Sequence, residues 1–160
     1  MSPLKIRRAS PEDADLLAGM NHYVHGIHVE HRPDIYKAQP SQEELAAVFK
    51  DRLVQESARI FIAELDGQPV GYAGATLHER AGGVFVHGGG SIIFLDQLAI
   101  APQAKRHGVG SGLLNAVREA GRDAGCLRLI TEVWDFNHEA RSFYEAVGFL
   151  PMKHLLEQSL

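Results

Sequence analysis

The sequence predicts a mixed α/β domain, and three observations carry that expectation. Strand-like apolar runs recur at 4–9, 58–65, 69–78, 91–100 and 127–134. Two stretches, 110–124 and 137–146, instead repeat their apolar residues at helical spacing. Asp66-Gly67 sits between two of the strands, a dipeptide that favours a two-residue hairpin turn. The expected order is β-α-α-β-β-β-α-β-α-β: a central mixed, mostly antiparallel sheet with helices on both faces.

Each element has its own signal. "LKIRRA" (4–9) reads as the first strand. Ser10 then suits an N-cap, with Pro11 at the first helical position and Glu12 and Asp13 in the first turn. Leu16, Leu17 and Met20 form that helix's apolar stripe, and Gly26 is expected to end it. The polar, His- and Pro-rich stretch 27–40 is expected to be irregular. Ser41 with Glu44 forms a capping box for a second helix. "RAGGVFVHGGG" (80–90) reads as a mobile excursion within the sheet, and "SIIFLDQLAI" (91–100) as a central strand. Leu113, Leu114, Val117, Ala120 and Gly121 make one helical stripe; Ala140, Phe143, Tyr144 and Val147 make another. "FLPMKHLLEQ" (149–158) is expected to close the sheet as a last strand.

Composition narrows the function classes. The chain has 160 residues, 45% of them hydrophobic, which suits one domain able to bury roughly 70% of its unfolded surface. The net charge is -4, so the basic excess of a dedicated nucleic-acid binder is absent. No apolar run is long enough for a membrane-spanning helix, and the first residues lack an apolar signal core. A cytoplasmic protein with neither nucleic-acid nor membrane partners is expected. Cys126 is the only cysteine, which excludes an internal disulfide.

"APQAKRHGVGSGLL" (101–114) carries the chemistry. A strand that enters a helix through glycines leaves backbone amides pointing outward at the positive end of the helix dipole, which suits a phosphate. Lys105, Arg106 and His107 add to that field. The string is not a P-loop, because no Lys-Ser or Lys-Thr follows the glycines. Gly108, Gly110 and Gly112 also miss the G-x-G-x-x-G spacing of a dinucleotide fold, which leaves NAD(P)H a weak alternative. His22, His25, His28 and His31 recur every third residue, but helical spacing spreads them around the axis, so no metal site is expected.

"LAIAPQAKRHGVGSGLL" resembles the acyl-CoA signature of the GNAT superfamily of N-acetyltransferases, with Lys105 where that pattern has Gln or Arg. "NHEARSFYEAVGF" (137–149) resembles the family's second signature. The resemblance covers nearly the whole chain. It implies an enzyme that transfers an acetyl group from acetyl-CoA to a primary amine by direct attack. Lys105, Arg106, His107, Gly108, Val109, Gly110 and Ser111 would wrap the pyrophosphate. A bulge near Leu98, Ala99 and Ile100 would free backbone groups for the pantetheine amides.

Asn137 and Tyr144 lie two helical turns apart, about 10.5 Å, on nearly one face. Asn137 would meet the cofactor arm and also suits an N-cap. Tyr144, with a phenol pKa of about 10, is the candidate acid for the departing thiolate. Leu98's amide is the candidate donor to the carbonyl oxygen. Asp96 is the only carboxylate in an apolar strand, and burial there would tune it as the general base; Glu132 is second choice. Residues 22–36, with Glu30, Asp34 and Tyr36, are placed beside the acceptor. The rival reading is a non-catalytic acyl-CoA-binding or sensing domain. Exposed sheet edges add a homodimer to the expectations.

Overall fold

A computed structural model describes residues 3–38 and 40–160. Five strands form one sheet in sequence order: β1 (Leu4–Arg8), β2 (Ala58–Leu65), β3 (Gln68–His78), β4 (Ser91–Ile100) and β5 (Cys126–Thr131). The first three junctions are antiparallel, and β4 pairs with β5 in parallel. Five helices accompany them: α1 (Ala14–Met20), α2 (His22–His31), α3 (Gln42–Leu53), α4 (Val109–Asp123) and α5 (His138–Ala146). The mixed, mostly antiparallel sheet expected from sequence is present.

Two apolar clusters divide the sheet's faces. On one, Leu113, Leu114 and Val117 of α4 pack fully buried against Ile93 and Leu95, with Phe143 and Tyr144 of α5 beside them. On the other, Leu17 and Met20 of α1 and Phe49 of α3 close over Ile60, Ile62 and Tyr72. Fully burying one such side chain contributes roughly 1.5–3 kcal/mol, so each helical stripe fixes its helix on the sheet. Gly121 lets α4 approach closely: a Cβ there would lie 2.7 Å from Ile93.

The local turns follow their residues. Asp66 (φ 56°) and Gly67 (φ 76°) are both left-handed, as a type I′ hairpin requires. The Ser41–Glu44 capping box forms, with Glu44 N donating to Ser41 Oγ at 3.1 Å. Ser10 caps a 3-10 turn, Pro11–Asp13, and Asp13 reaches back to the Ser10 amide at 2.8 Å.

Four expectations are corrected. Gly26 does not end a helix: the break falls at Asn21, and α2 runs through Gly26 to His31. Within the stretch 27–40 only residues 27–31 are helical; the described remainder is irregular, as expected, and Gln39 lies outside the described residues. The strand at 127–134 is instead Cys126–Thr131. Residues 150–160 do not close the sheet; they have no regular structure and are exposed throughout. Their strand-like pattern lacks a backbone partner, and pattern alone does not supply one.

Arg7 ties β1 to the first turn through Asp13 (2.8 Å) and to β2 through Glu64 (2.9 Å). The Arg7 guanidinium holds the Asp13 carboxyl down to about 2. A carboxyl depressed on folding stabilises above its unfolded pKa, about 3.9, and that contribution is lost as pH falls toward 2. Asp13→Asn should therefore lower Tm at pH 7 by roughly 3–6 °C, and the gap to the parent should close between about pH 4 and pH 2 in calorimetry.

Candidate active site

The site begins where two strands part. β4 pairs with β3 along its length, to Gly71↔Ile100, but with β5 only from Ser91 to Leu95. Past Leu95↔Thr131 the side of β4 that faced β5 has no strand partner. Thr131 Oγ1 donates to Leu95 O at 3.0 Å, closing the last joined position. The bulge lies at Asp96, where the register with β3 steps from Ala75↔Leu95 to Gly74↔Gln97. It thus precedes Leu98, Ala99 and Ile100, where sequence had placed it. An inserted residue bends and twists its strand, so the fork opens just beyond it.

The glycine turn sits at the mouth of that fork. β4 passes through a 3-10 turn, Pro102–Ala104, into extended Lys105 and then α4. Arg106 (φ 69°) and Gly108 (φ 77°) are left-handed, which glycine tolerates and arginine adopts at a cost of roughly 1–2 kcal/mol. Gly112 N donates to Gly108 O at 2.9 Å, the first bond of α4. The amides from Arg106 to Ser111 have no protein acceptor among the described residues. A Cβ on Gly110 would lie 3.1 Å from both Ile100 and Phe143, so the helix start abuts the strand end and α5. Lys105 Nζ reaches Glu139 at 2.8 Å; Arg106 and His107 are exposed.

α5 supplies the next two expected residues. Asn137 caps it, accepting from Ala140 N at 3.1 Å, which leaves its amide NH2 outward. Tyr144 is half-buried between Phe143 and Phe149, with ring centroids at 5.6 and 5.3 Å. Burial pushes its phenol above the usual value, partly offset by the Thr131 hydroxyl beside it. Tyr144 therefore lies directly under the fork, on the α4 face.

Asp96 lies on the opposite face, and it is not buried. Its Oδ2 accepts from Thr76 Oγ1 at 2.7 Å and from the Arg52 guanidinium of α3. The burial expected of it does not occur, because the bulge turns the residue out of the apolar alternation. Glu132, just past the fork, is also exposed. Three neighbours were missed in the sequence: Arg52, Thr76 and Tyr72. Tyr72 is fully buried, donates to Gln97 at 2.9 Å and accepts from Asn21 at 3.1 Å; burial pushes its phenol up to about 12. They come from α3 and β3, far from either motif, and only the β3–β4 register brings them together.

The stretch 22–36 forms an aromatic wall beyond the fork. His28 stacks on Tyr36 (5.1 Å) and His31 on Phe136 (4.4 Å), while Trp134 Nε1 donates to Tyr36 OH at 2.8 Å. Burial pushes the His28 imidazole down. Asp34 does not stand free: Arg32 holds it at 2.8 Å, and Arg32 also covers Trp134 at 5.2 Å. Glu30 is exposed. Among the described residues, no three His, Cys, Asp or Glu side chains gather as a metal would need, and no helix is long and apolar enough to cross a membrane.

Comparison with known proteins places this geometry. A family profile described as the Acetyltransferase (GNAT) family matches residues 23–149. An N-acetyltransferase of uncharacterised role from Bacillus subtilis, YhfO, is 31% identical over 149 residues, covering 91% of this chain and 89% of its own. The solved BH1408 protein of Bacillus halodurans superposes with a TM-score of 0.88 at 21% identity, over 98% of this chain and 99% of that one. An aminoglycoside N-acetyltransferase, AAC(6')-Iy, solved in complex with CoA, superposes with a TM-score of 0.78 at 20% identity, over 100% and 96%.

The turn's glycines make a testable contrast. Gly108→Ala places a Cβ at φ 77° and should lower stability by roughly 1–2 kcal/mol. Gly19→Ala, at an exposed position of α1 with open space around it, should raise stability by about 0.5–1 kcal/mol. Chemical denaturation of the two variants measures both signs.

Proposed function

The chain belongs to the GNAT acetyltransferase family, a family of enzymes, and from that premise we propose how its own residues carry acetyl transfer to an amine. The observation that carries the reading is the fork: β4 leaves β5 at Leu95–Thr131, with the glycine turn at its mouth and Tyr144 beneath it. The residues present fit acetyl-CoA. Outward amides from Arg106 to Ser111, at a helix N-terminus and beside three basic side chains, suit a pyrophosphate. The unpaired side of Leu98, Ala99 and Ile100 offers amides and carbonyls to an amide-bearing arm, and Asn137 adds its NH2. When bound, acetyl-CoA supplies a thioester carbonyl and a thiol leaving group.

Tyr144 holds its proton for that sulfur. Burial favours the neutral phenol over the phenolate, raising its pKa above that of a free tyrosine. Asp96, on the other face of the fork, takes the amine's proton through Oδ1, the oxygen that Arg52 and Thr76 leave open. Arg52 and Thr76 position it. The task is substantial, since holding a lysine-like amine neutral at pH 7 costs roughly 4–5 kcal/mol. The backbone amides near Leu98 donate to the carbonyl oxygen. The acceptor is a primary amine on a small molecule or a peptide, entering along the wall of Tyr36, Trp134 and Phe136.

A panel of amines, followed by release of free thiol from acetyl-CoA, tests the reading. Tyr144→Phe should lower kcat on the order of 10²-fold with KM for acetyl-CoA little changed. Any alkaline loss of the parent's kcat through this acid should set in above the range of a free tyrosine phenol, because burial raises the phenol pKa. Heat protection by CoA without thiol release for any amine would instead mark a binding or sensing domain.

A further inference from the structure

Asn21, Tyr72 and Gln97 form a polar chain that the acetyl-transfer scheme leaves unused. Asn21 is 5% exposed and Tyr72 is fully buried. A buried polar group is kept where it is bonded, and both are. Asn21 Nδ2 donates to Tyr72 OH at 3.1 Å, and Tyr72 OH donates to Gln97 Oε1 at 2.9 Å. The hydroxyl thus accepts and donates at once, and bonds linked in series strengthen one another. The ring is held separately, edge-on to Phe49 at 5.6 Å. Its apolar packing and its hydroxyl can therefore be tested apart.

Each end of the chain lies at a structural break. Gln97 directly follows the bulge: it stands opposite Gly74, while Leu95 stands opposite Ala75. Asp96 and Gln97, neighbours in sequence, bond two hydroxyls on one face of β3, those of Thr76 and Tyr72. Gly74 lies between the two hydroxyls. A Cβ there would stand 3.0 Å from Arg52 Nη1, so the glycine admits the guanidinium that holds Asp96. Thr76 and Tyr72 therefore clamp the bulge from either side, and Leu98 is the next residue. At the other end, Asn21 joins α1 to α2: Val24 N and His25 N donate to its carbonyl at 3.1 and 3.0 Å. α2 in turn carries His28 and His31 to the aromatic wall.

We propose that Tyr72 is a positioning residue for acetyl transfer: its hydroxyl, held by Asn21, fixes Gln97 and with it the bulge that aims Asp96 and the Leu98 amide into the fork. The role rests on the acetyl-transfer reading, and it adds a tie between the fork and the helix beside the acceptor. Tyr72 acts through Gln97 rather than on the reacting atoms. The glycine turn has no part in this chain of bonds, so cofactor binding is independent of it.

Steady-state kinetics on the full chain, with the amine that gives the fastest thiol release, test the role. Tyr72→Phe removes the hydroxyl and keeps the ring. It should lower kcat roughly 10-fold and raise the amine's KM, with KM for acetyl-CoA unchanged. Gln97→Leu should do the same, and the double substitution should be no worse than either single one, because both break one chain. Ile60→Val, in the same apolar cluster as Tyr72, should lower Tm by a similar amount and leave kcat and both KM values at the parent's. That contrast separates positioning from lost stability. An unimpaired Tyr72→Phe, additive losses in the double variant, or an equal loss of kcat in Ile60→Val would each overturn the positioning role and leave acetyl transfer standing. A parent that releases no thiol with any amine would overturn both.

Discussion

The structure turns on the point where β4 stops pairing with β5. Backbone amides and carbonyls are obligatory hydrogen-bonding groups, and a central strand does not normally leave a side of its ladder open. Here it does so from Asp96 onward, just after Thr131 bonds the last joined carbonyl. The proposed site is arranged around that opening. The bulge at Asp96 bends the strand, the glycine turn begins at its end, and α5 brings Tyr144 beneath it. Restoring the ladder would close the space that an amide-bearing thioester needs.

In the proposed mechanism the sheet also separates two proton tasks. Tyr144 lies in the apolar cluster on the α4 face, where burial keeps the phenol neutral. Asp96 lies on the α3 face, exposed and held by Arg52 and Thr76. A half-buried phenol and an exposed carboxylate, on opposite sides of one gap, are an arrangement that a single apolar pocket does not provide.

Legibility in the sequence followed how local each cause was. The Asp66-Gly67 hairpin, the Ser41–Glu44 box, the Asn137 cap and the stripes of α4 and α5 depend on neighbours within a few residues, and all were readable. The glycine turn was readable for the same reason. Asp96 was misjudged because its exposure depends on a bulge set by pairing with β3, some twenty residues away in sequence. Gly26 is an unfavourable helix residue, yet contacts such as His28 on Tyr36 carry α2 past it. The 149–158 run was misread as a closing strand, because a strand-like apolar pattern does not by itself supply a partner edge.

Amide-resolved NMR titration with CoA tests the central claim most directly. The largest shifts should fall on the backbone amides of Arg106–Ser111 and of Leu98–Ile100, with smaller ones at Asn137 and Tyr144. Shifts concentrated elsewhere, for example along the groove lined by Arg8, Arg59, Glu119 and Asp123 between α4 and the first two strands, would contradict it.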